Sequence, residues 1–229
     1  MTRFLIALLV FLVAHLVPAL PALRRRLVAR LGRRLYLALY SAASLALFAW
    51  LVAEARSAPA VPLWDVAPWQ GFAPILLMPV AGLLLVAGLM QPNPLSISLR
   101  PASRLPAIAG ITRHPVLWAA LLWALSHIPP NGRLAPVILF GAMAAFSAAG
   151  FALLDAKARR RLGPQRWAAL AGRTSVLPFA ALLRGRAGPI RWRSLVLPAV
   201  LALALYAWFL LRGHAWLIGP DPADWIRAA

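Results

Sequence analysis

The four histidines of this sequence, His15, His114, His127 and His214, are the side chains best suited to chemistry. His15 lies in the middle of one apolar run, and His127 lies well inside another. An ionisable side chain inside a membrane span is costly and is a functional hypothesis by default. For either histidine alone, a hydrogen bond between helices is an equally good explanation. Two such imidazoles in a chain with almost no other intramembrane polar groups favour joint ligation of a cofactor.

The residue types that the chain lacks narrow the choice of cofactor. There is no cysteine, which excludes a thiolate nucleophile, an iron–sulfur cluster and covalently attached haem. A closed zinc site needs four ligands, and a dinuclear iron site needs several glutamates, which the apolar runs do not supply. Two imidazoles suit the axial positions of haem b. The residue types therefore favour noncovalently held haem b, with His15 and His127 as the favoured metal ligands.

Depth in the membrane favours His127 over His114 as the partner of His15. The depth of each histidine can be estimated by counting residues from the nearest arginine at the membrane boundary and multiplying by the helical rise. On this estimate His15 and His127 differ in depth by about 8 Å, and His15 and His114 differ by about 12 Å. Helix tilt and proline kinks close the smaller gap more easily. His114 follows Arg113 at the membrane boundary, so we expect it to tune the site or close a pocket entrance. His214, near the end of the last apolar run, is expected to be an interfacial residue without a catalytic role.

Membrane helices must position these histidines, because 62% of the residues are hydrophobic and only 13% are charged. Each long apolar run has the length that a membrane-spanning helix needs. A shorter run at 116–128 is also counted as a span, because without it the basic segments of the chain would not all lie on the same side of the membrane. The fold class predicted is an all-α polytopic transmembrane bundle of about six spans, at 4–23, 35–53, 71–90, 116–128, 134–154 and 195–211.

The basic residues set the expected topology. Nineteen of the 24 Lys and Arg fall at 24–34, 100–113 and 157–193, whereas four of the five acids lie in the alternate segments. The positive-inside rule then places these three basic segments in the cytoplasm and both termini in the periplasm. This predicts a multi-pass protein of the bacterial inner membrane that contacts lipids. Because the charge lies where topology requires it, the net charge of +19 does not indicate nucleic-acid binding.

The segment before the last span has features of its own. Residues 155–170 form a basic amphipathic stretch interrupted by Gly163 and Pro164. The apolar run 176–183 is too short to cross and is expected to be interfacial or re-entrant. Asp155 is expected to pair with nearby arginines, or else to be the acidic member of a polar cofactor site. We expect one domain over 1–194, followed by a final helix and short periplasmic tail at 195–229.

Several segments resemble the NnrU family of bacterial membrane proteins and the related plant zeta-carotene isomerase. They are Ala14-His15-Leu16, YLALYS at 36–41, ITRHP at 111–115, LWALSH at 122–127, Asn131-Gly132 and RTSVLPF at 173–179. The resemblance implies a polytopic helical bundle and, from the isomerase, haem b bound by the histidines that match His15 and His127. It further implies a link with nitrite and nitric oxide metabolism, a partner in denitrification, or isomerase-like chemistry on a lipophilic substrate.

A more distant likeness is to the isoprenylcysteine-type membrane methyltransferases. They share an Arg-His-Pro segment and a late arginine-containing loop that enclose S-adenosylmethionine. On this alternative Arg113, His114 and Arg173 would bind the cofactor, and the acceptor would be a small thiol or a lipophilic molecule. The chain departs from the pattern at Asp155, where these enzymes carry a glutamate pair. Whether the protein is an enzyme stays open at this point.

Overall fold

The computed structural model describes residues 1–16, 20–99 and 104–227. Arg100 of the second basic segment and residues 17–19 of the first predicted span lie outside this part of the chain. The described residues form α-helices and no β-strand; a 3₁₀ turn at Pro68–Gly71 precedes the third helix and a π-helical turn at Phe209–Gly213 follows the ninth. The helices are α1 Thr2–Leu16, α2 Pro21–Ser57, α3 Phe72–Met90, α4 Ala107–Ile111, α5 Pro115–His127, α6 Leu134–Leu162, α7 Pro164–Ala171, α8 Ala180–Leu183, α9 Arg193–Trp208, α10 His214–Ile218 and α11 Ala223–Arg227.

The long helices are membrane helices by length and composition. The candidate spans are Ala22–Ser57, Pro68–Met90, Leu134–Leu162 and Arg193–Ile218, and only 11% to 28% of each apolar window is buried within the protein. Such extensive exposed apolar surface needs lipid around it. The prediction of an all-α membrane protein is therefore confirmed. The shorter apolar helices α1 and α5 match the first and fourth predicted spans in position, and the count of six crossings stays a prediction.

The beginning of the chain differs from the sequence-based prediction. A single span at 4–23 followed by a basic loop is wrong, because α1 ends at Leu16 and α2 already begins at Pro21. The arginines of 24–34 lie on α2, since arginine is a good helix former and proline is well suited to the first helical position. Gly32 interrupts this helix with a positive φ of 74°. Such a φ is easily adopted only by glycine.

The chain divides into two compact units, Met1–Asp65 with Gly132–Leu139 and Val66–Asn131 with Phe140–Ala229. In the first unit α1 packs on α2. The ring of Phe11 lies 6.0 Å from that of Phe48, and the ring of His15 lies 6.0 Å from that of Tyr40. Because the later residue of α1 meets the earlier residue of α2, the two helices are antiparallel.

In the second unit α3 packs against α5 and α9. The buried apolar residues at the centre of this packing are Leu84, Ala87, Ile108, Ile111, Ala119 and Leu195. Gly88 allows the close approach of α3 and α5, because a Cβ there would lie 2.8 Å from Val116 and 2.9 Å from Pro115. This packing fixes the start of α5 and the segment that precedes it.

The cytoplasmic segment expected between the last two spans folds into short pieces. Gly163, with a φ of 78°, ends α6, and Pro164 begins α7, so the predicted interruption at these two residues is confirmed. Within the predicted apolar run 176–183, only Ala180–Leu183 are helical. Leu183 at its end is largely exposed. The interfacial or re-entrant position of this run stays a prediction.

Candidate functional site

Residues 112–114 connect α4 to α5 and are not helical. Thr112 follows the end of α4 with φ −149° and ψ 144°. His114 precedes Pro115, and a residue before proline is disfavoured in the helical region. Residues 112–114 therefore form a short link between α4 and α5, and the side chains of Thr112 and His114 are fully buried.

The loop before α8 closes over this segment. The backbone N–H of Arg113 donates to the carbonyl of Ser175 at 2.8 Å. The carbonyl of Val176 accepts two bonds, from the hydroxyl of Thr112 at 2.8 Å and from the indole of Trp118 at 2.7 Å. Two segments that are more than 60 positions apart in the chain are thus joined through backbone and side-chain hydrogen bonds.

Asp155 joins the side chains of this segment into one polar cluster, here called the Asp155 network. Its Oδ2 lies 2.6 Å from Nη1 of Arg113, and its Oδ1 lies 2.9 Å from Nε2 of His114. Nε of Arg113 donates to the hydroxyl of Thr174 at 3.1 Å. Nδ1 of His114 lies 2.9 Å from the hydroxyl of Ser96. The network therefore consists of Ser96, Arg113, His114, Asp155 and Thr174.

The bond to Asp155 fixes which nitrogen of His114 donates. A carboxylate only accepts, so Nε2 carries a proton and donates to Asp155, whereas the hydroxyl of Ser96 can either donate to Nδ1 or accept from it. A hydroxyl, an imidazole and a carboxylate in series are the arrangement that activates a hydroxyl nucleophile. His114 is 0% exposed, however, so a substrate atom has no access to its ring in this conformation. Both ring nitrogens are engaged, and neither is left for a metal ion.

The sequence did not indicate this network in full. Asp155 was expected to pair with Arg159, Arg160 or Arg173, whereas in the described chain its partners are Arg113 and His114. The error arose because proximity in the sequence was the only guide to partners. Ser96 was missed, and Thr174 was noted only as part of the RTSVLPF segment at 173–179, since no local pattern marks a hydroxyl whose partner lies 18 or 61 positions away.

A cleft of about 530 Å³ opens beside the network. It is lined by Asp155, Ala156, Arg159, Arg160 and Trp167. The guanidinium of Arg159 lies 5.6 Å from the centre of the Trp167 ring, and that of Arg113 lies 5.8 Å from it. Both distances are within the range of cation–π attraction. The cleft is therefore rich in arginine, and its one carboxylate belongs to the Asp155 network.

His127 lies in the last turn of α5, in the second unit. Its Nδ1 lies 2.7 Å from the carbonyl of Trp123, four residues earlier. Because a carbonyl only accepts, Nδ1 donates and Nε2 carries the lone pair. The rings of Phe140 and Trp123 lie 5.1 Å and 5.7 Å from the imidazole. An aromatic environment thus surrounds an imidazole whose tautomer suits metal ligation through Nε2.

His15 repeats this arrangement in the first unit. Its Nδ1 lies 2.8 Å from the carbonyl of Phe11, again four residues earlier. The Phe11 ring lies 4.1 Å away, and Tyr40 meets the imidazole edge-on. The same argument assigns the donor role to Nδ1. In the part of the chain that the structure describes, no three His, Asp or Glu side chains cluster as a metal site.

The two remaining candidate residues lie apart from the Asp155 network. Arg173 is exposed, and its guanidinium lies where a Cβ on Gly188 would be placed. Its neighbour Thr174, rather than Arg173 itself, contacts Arg113. The Nδ1 of His214 donates to the carbonyl of Pro220 at 2.8 Å, and His214 is within electrostatic reach of His127.

A comparison with known protein families identifies the chain. The family model described as NnrU protein matches residues 3–222, which include all four histidines, the Asp155 network and the cleft. No curated protein and no solved structure matches the chain. Because the family model covers nearly the whole sequence, this membrane protein belongs to the NnrU family.

Proposed function

We propose that this NnrU-family protein binds haem b, with His15 and His127 as its axial ligands. The observation that carries the proposal is the hydrogen bond from each Nδ1 to the carbonyl four residues earlier. Metal-ligating histidines almost always donate their second ring N–H to a carbonyl, a carboxylate or water, which fixes the tautomer and orients the ring.

The surroundings of the two imidazoles support the same proposal. His15 lies beside the rings of Phe11 and Tyr40, and His127 lies beside those of Trp123 and Phe140. Aromatic side chains provide the apolar contacts that a haem macrocycle needs. His114 fits the ligand role less well, because Ser96 and Asp155 occupy its two nitrogens. The role proposed for His114 is to tune the site or close a pocket entrance through its ring N–H, which donates to Asp155.

Haem held by these two imidazoles would supply electron-transfer chemistry, because two protein ligands would leave the iron no open position for a gas. From the family we infer a role in nitrite and nitric oxide metabolism, with a denitrification complex as partner, or isomerase-like chemistry on a lipophilic substrate. The location inferred is the bacterial inner membrane with both termini in the periplasm. The basic stretch from Lys157 to Arg193 supports this orientation, since such residues favour the cytoplasmic face.

The experiment that tests the proposal is the reduced-minus-oxidised absorption spectrum of the protein purified in detergent after haem supplementation. We expect a Soret band and α-band of low-spin haem, at about one haem per chain for a single two-ligand site. A featureless spectrum would remove the haem proposal. A high-spin spectrum would show that two imidazoles do not ligate the iron together.

A methyltransferase is the second candidate, and one observation favours it. The Arg-His-Pro segment at 113–115 is bonded to the loop at 174–176, and its Arg113 and His114 are bonded to Asp155, which lines a cleft. Enclosure of S-adenosylmethionine would require such a juxtaposition. Arg113 is bonded to Asp155 and Thr174, so Arg159 or Arg160 would have to bind the carboxylate of the cofactor. Calorimetric titration with S-adenosylhomocysteine distinguishes the candidates, because only the methyltransferase binds it.

A further inference from the structure

We infer that the cleft between the end of α6 and α7 binds a phosphate group. This inference is independent of haem, since neither His15 nor His127 lines the cleft. The ligand class is a phosphate monoester or diester, whether it belongs to a phospholipid headgroup or to a soluble molecule.

The backbone builds the cleft at the end of α6. α6 ends at Leu162, Gly163 turns the chain with a positive φ, and Pro164 begins α7. This reversal brings Trp167 back to the guanidinium of Arg159 on the preceding helix. The volume of about 530 Å³ lies in the range of small-molecule sites and is larger than one phosphate needs. There is therefore room for the group that carries the phosphate.

The charges of the cleft favour an anion with more than one negative charge. The carboxylate of Asp155 is already shared by Arg113 and His114. Among the described residues, neither Arg159 nor Arg160 forms an ion pair with a carboxylate, and both are exposed. Two guanidiniums consequently lack counter-charges at one opening. Guanidinium donors match phosphate oxygens in geometry and can bind them in a bidentate manner.

The position along the helix supports a phosphate at the membrane boundary. The apolar part of α6 ends at Leu154, and the basic residues from Lys157 to Arg161 follow at once. Basic residues beside a cytoplasmic membrane end are attracted to anionic lipids. A general attraction of this kind needs no cleft, so the proposal requires that the shape of the cleft matters as well as its charge.

Three variants separate a shaped site from diffuse positive charge. The first, Arg159→Gln with Arg160→Gln, removes the two unpaired guanidiniums of the cleft. The matched control, Arg184→Gln with Arg191→Gln, removes the same charge from exposed arginines elsewhere in the basic stretch. The third, Ala156→Trp, fills the cleft at an exposed position and leaves every charge in place.

The measurement has two arms with the full-length purified chain. In detergent, inorganic phosphate is titrated by calorimetry. In nanodiscs of phosphatidylglycerol or phosphatidylcholine, native mass spectrometry counts the lipids retained by the released protein. Saturable binding in the first arm identifies a soluble phosphate. Retention of phosphatidylglycerol alone, without phosphate binding in detergent, identifies a lipid headgroup.

We expect the double Arg159 and Arg160 variant to bind at least about tenfold more weakly, because it loses both guanidiniums that can form charge-assisted hydrogen bonds with the phosphate. Ala156→Trp should lose binding to a similar extent, and the Arg184 and Arg191 control should stay within about twofold, since exposed charges are screened. An unchanged thermal unfolding midpoint without ligand shows that each variant is folded. Equal losses in the cleft and control variants, full binding by Ala156→Trp, or no binding in both arms would overturn the proposal.

Discussion

Nε2 of His114 lies 2.9 Å from Oδ1 of Asp155, although the two residues are 41 positions apart in the chain. The contact connects the beginning of α5 with the end of α6. The same carboxylate bonds to Arg113, which in turn holds the loop at 174–175. One acid therefore ties three segments of the second unit together, and it does so at the edge of the arginine-lined cleft.

Loss of this acid should destabilise the protein. The side chain of Arg113 is 10% exposed, and Asp155→Asn leaves its guanidinium without a counter-charge. We expect a cost of about 2 kcal/mol, less than for a fully buried pair because the Asp155 side chain is 24% exposed. The measurement is fluorescence-detected thermal unfolding in detergent.

The matched control for that variant is Asp224→Asn. It removes an acid that pairs with Arg227 on the surface, where both side chains are more than half exposed. A surface pair of this kind contributes about 0–1 kcal/mol, so the midpoint should barely move. Equal shifts for Asp155→Asn and Asp224→Asn would show that the Asp155 network does not stabilise the fold.

Phe179 should be a site of backbone strain. Its φ of 63° lies in the left-handed region, and its N–H donates to the carbonyl of Ile111 at 2.7 Å. Phe179→Gly and Phe179→Ala both remove the ring, but only glycine relieves the strain. We expect the glycine variant to be more stable than the alanine variant by about 1 kcal/mol. Comparison of the two unfolding midpoints tests this, and a more stable alanine variant would contradict it.

Gly88 should be intolerant of a side chain. The Cβ of Gly88→Ala would lie 2.8 Å from Val116 and 2.9 Å from Pro115, so α3 and α5 would have to separate. Overpacking of this kind costs about 1–3 kcal/mol. Gly141→Ala on α6 is the control, because its Cβ meets nothing within 4 Å, and alanine is the better helix former. Thermal unfolding should show a loss for the first variant only; tolerance of both would mean that the helices do not need this close approach.

The apolar helices of the chain were largely predictable from the sequence. The runs at 71–90 and 116–128 correspond to Phe72–Met90 and Pro115–His127 within one residue at each end. Continuous apolar runs of this length leave little choice in a membrane, where every backbone polar group must be bonded internally. Residues 24–34 were misjudged as a loop because charge was used as a sign of irregular structure, although arginine favours helices.

The polar cluster was only partly predictable. Arg113 and His114 were identified because they form part of a short Arg-His-Pro motif. Their bonds to Asp155, Ser96 and Thr174 depend on how distant segments pack, and apolar periodicity contains no information about such contacts. The cleft beside Trp167 likewise depends on the turn at Gly163, whose direction a glycine–proline pair does not specify.

Topology gives a prediction that does not depend on any cofactor. Alkaline phosphatase is active only where its disulfides form, which is the periplasm. A fusion after the last residue, Ala229, should be active, and a fusion after Arg30 should be inactive, because the arginines of 24–34 are expected in the cytoplasm. Immunoblots of both fusions control for expression. The reverse activities would invert the orientation and move His114 to the periplasmic side.

The proposed haem ligands can be tested one histidine at a time. His15→Ala and His127→Ala should each lose low-spin haem, because each removes one of the two imidazoles proposed to ligate the iron. His114→Ala should retain it, since both nitrogens of His114 are bonded within the Asp155 network. His214→Ala should also retain it, and this variant is the sharper control because His214 interacts electrostatically with His127.

The electron paramagnetic resonance spectrum of the oxidised His127→Ala protein, recorded beside that of His114→Ala, tests haem ligation most directly. Haem content and the thermal midpoint of each variant are measured on the same samples. We predict that the low-spin bis-histidine signal disappears in His127→Ala and persists in His114→Ala. Persistence of the signal in His127→Ala, with its loss in His114→Ala or His214→Ala, would contradict the assignment of His127 as an axial ligand.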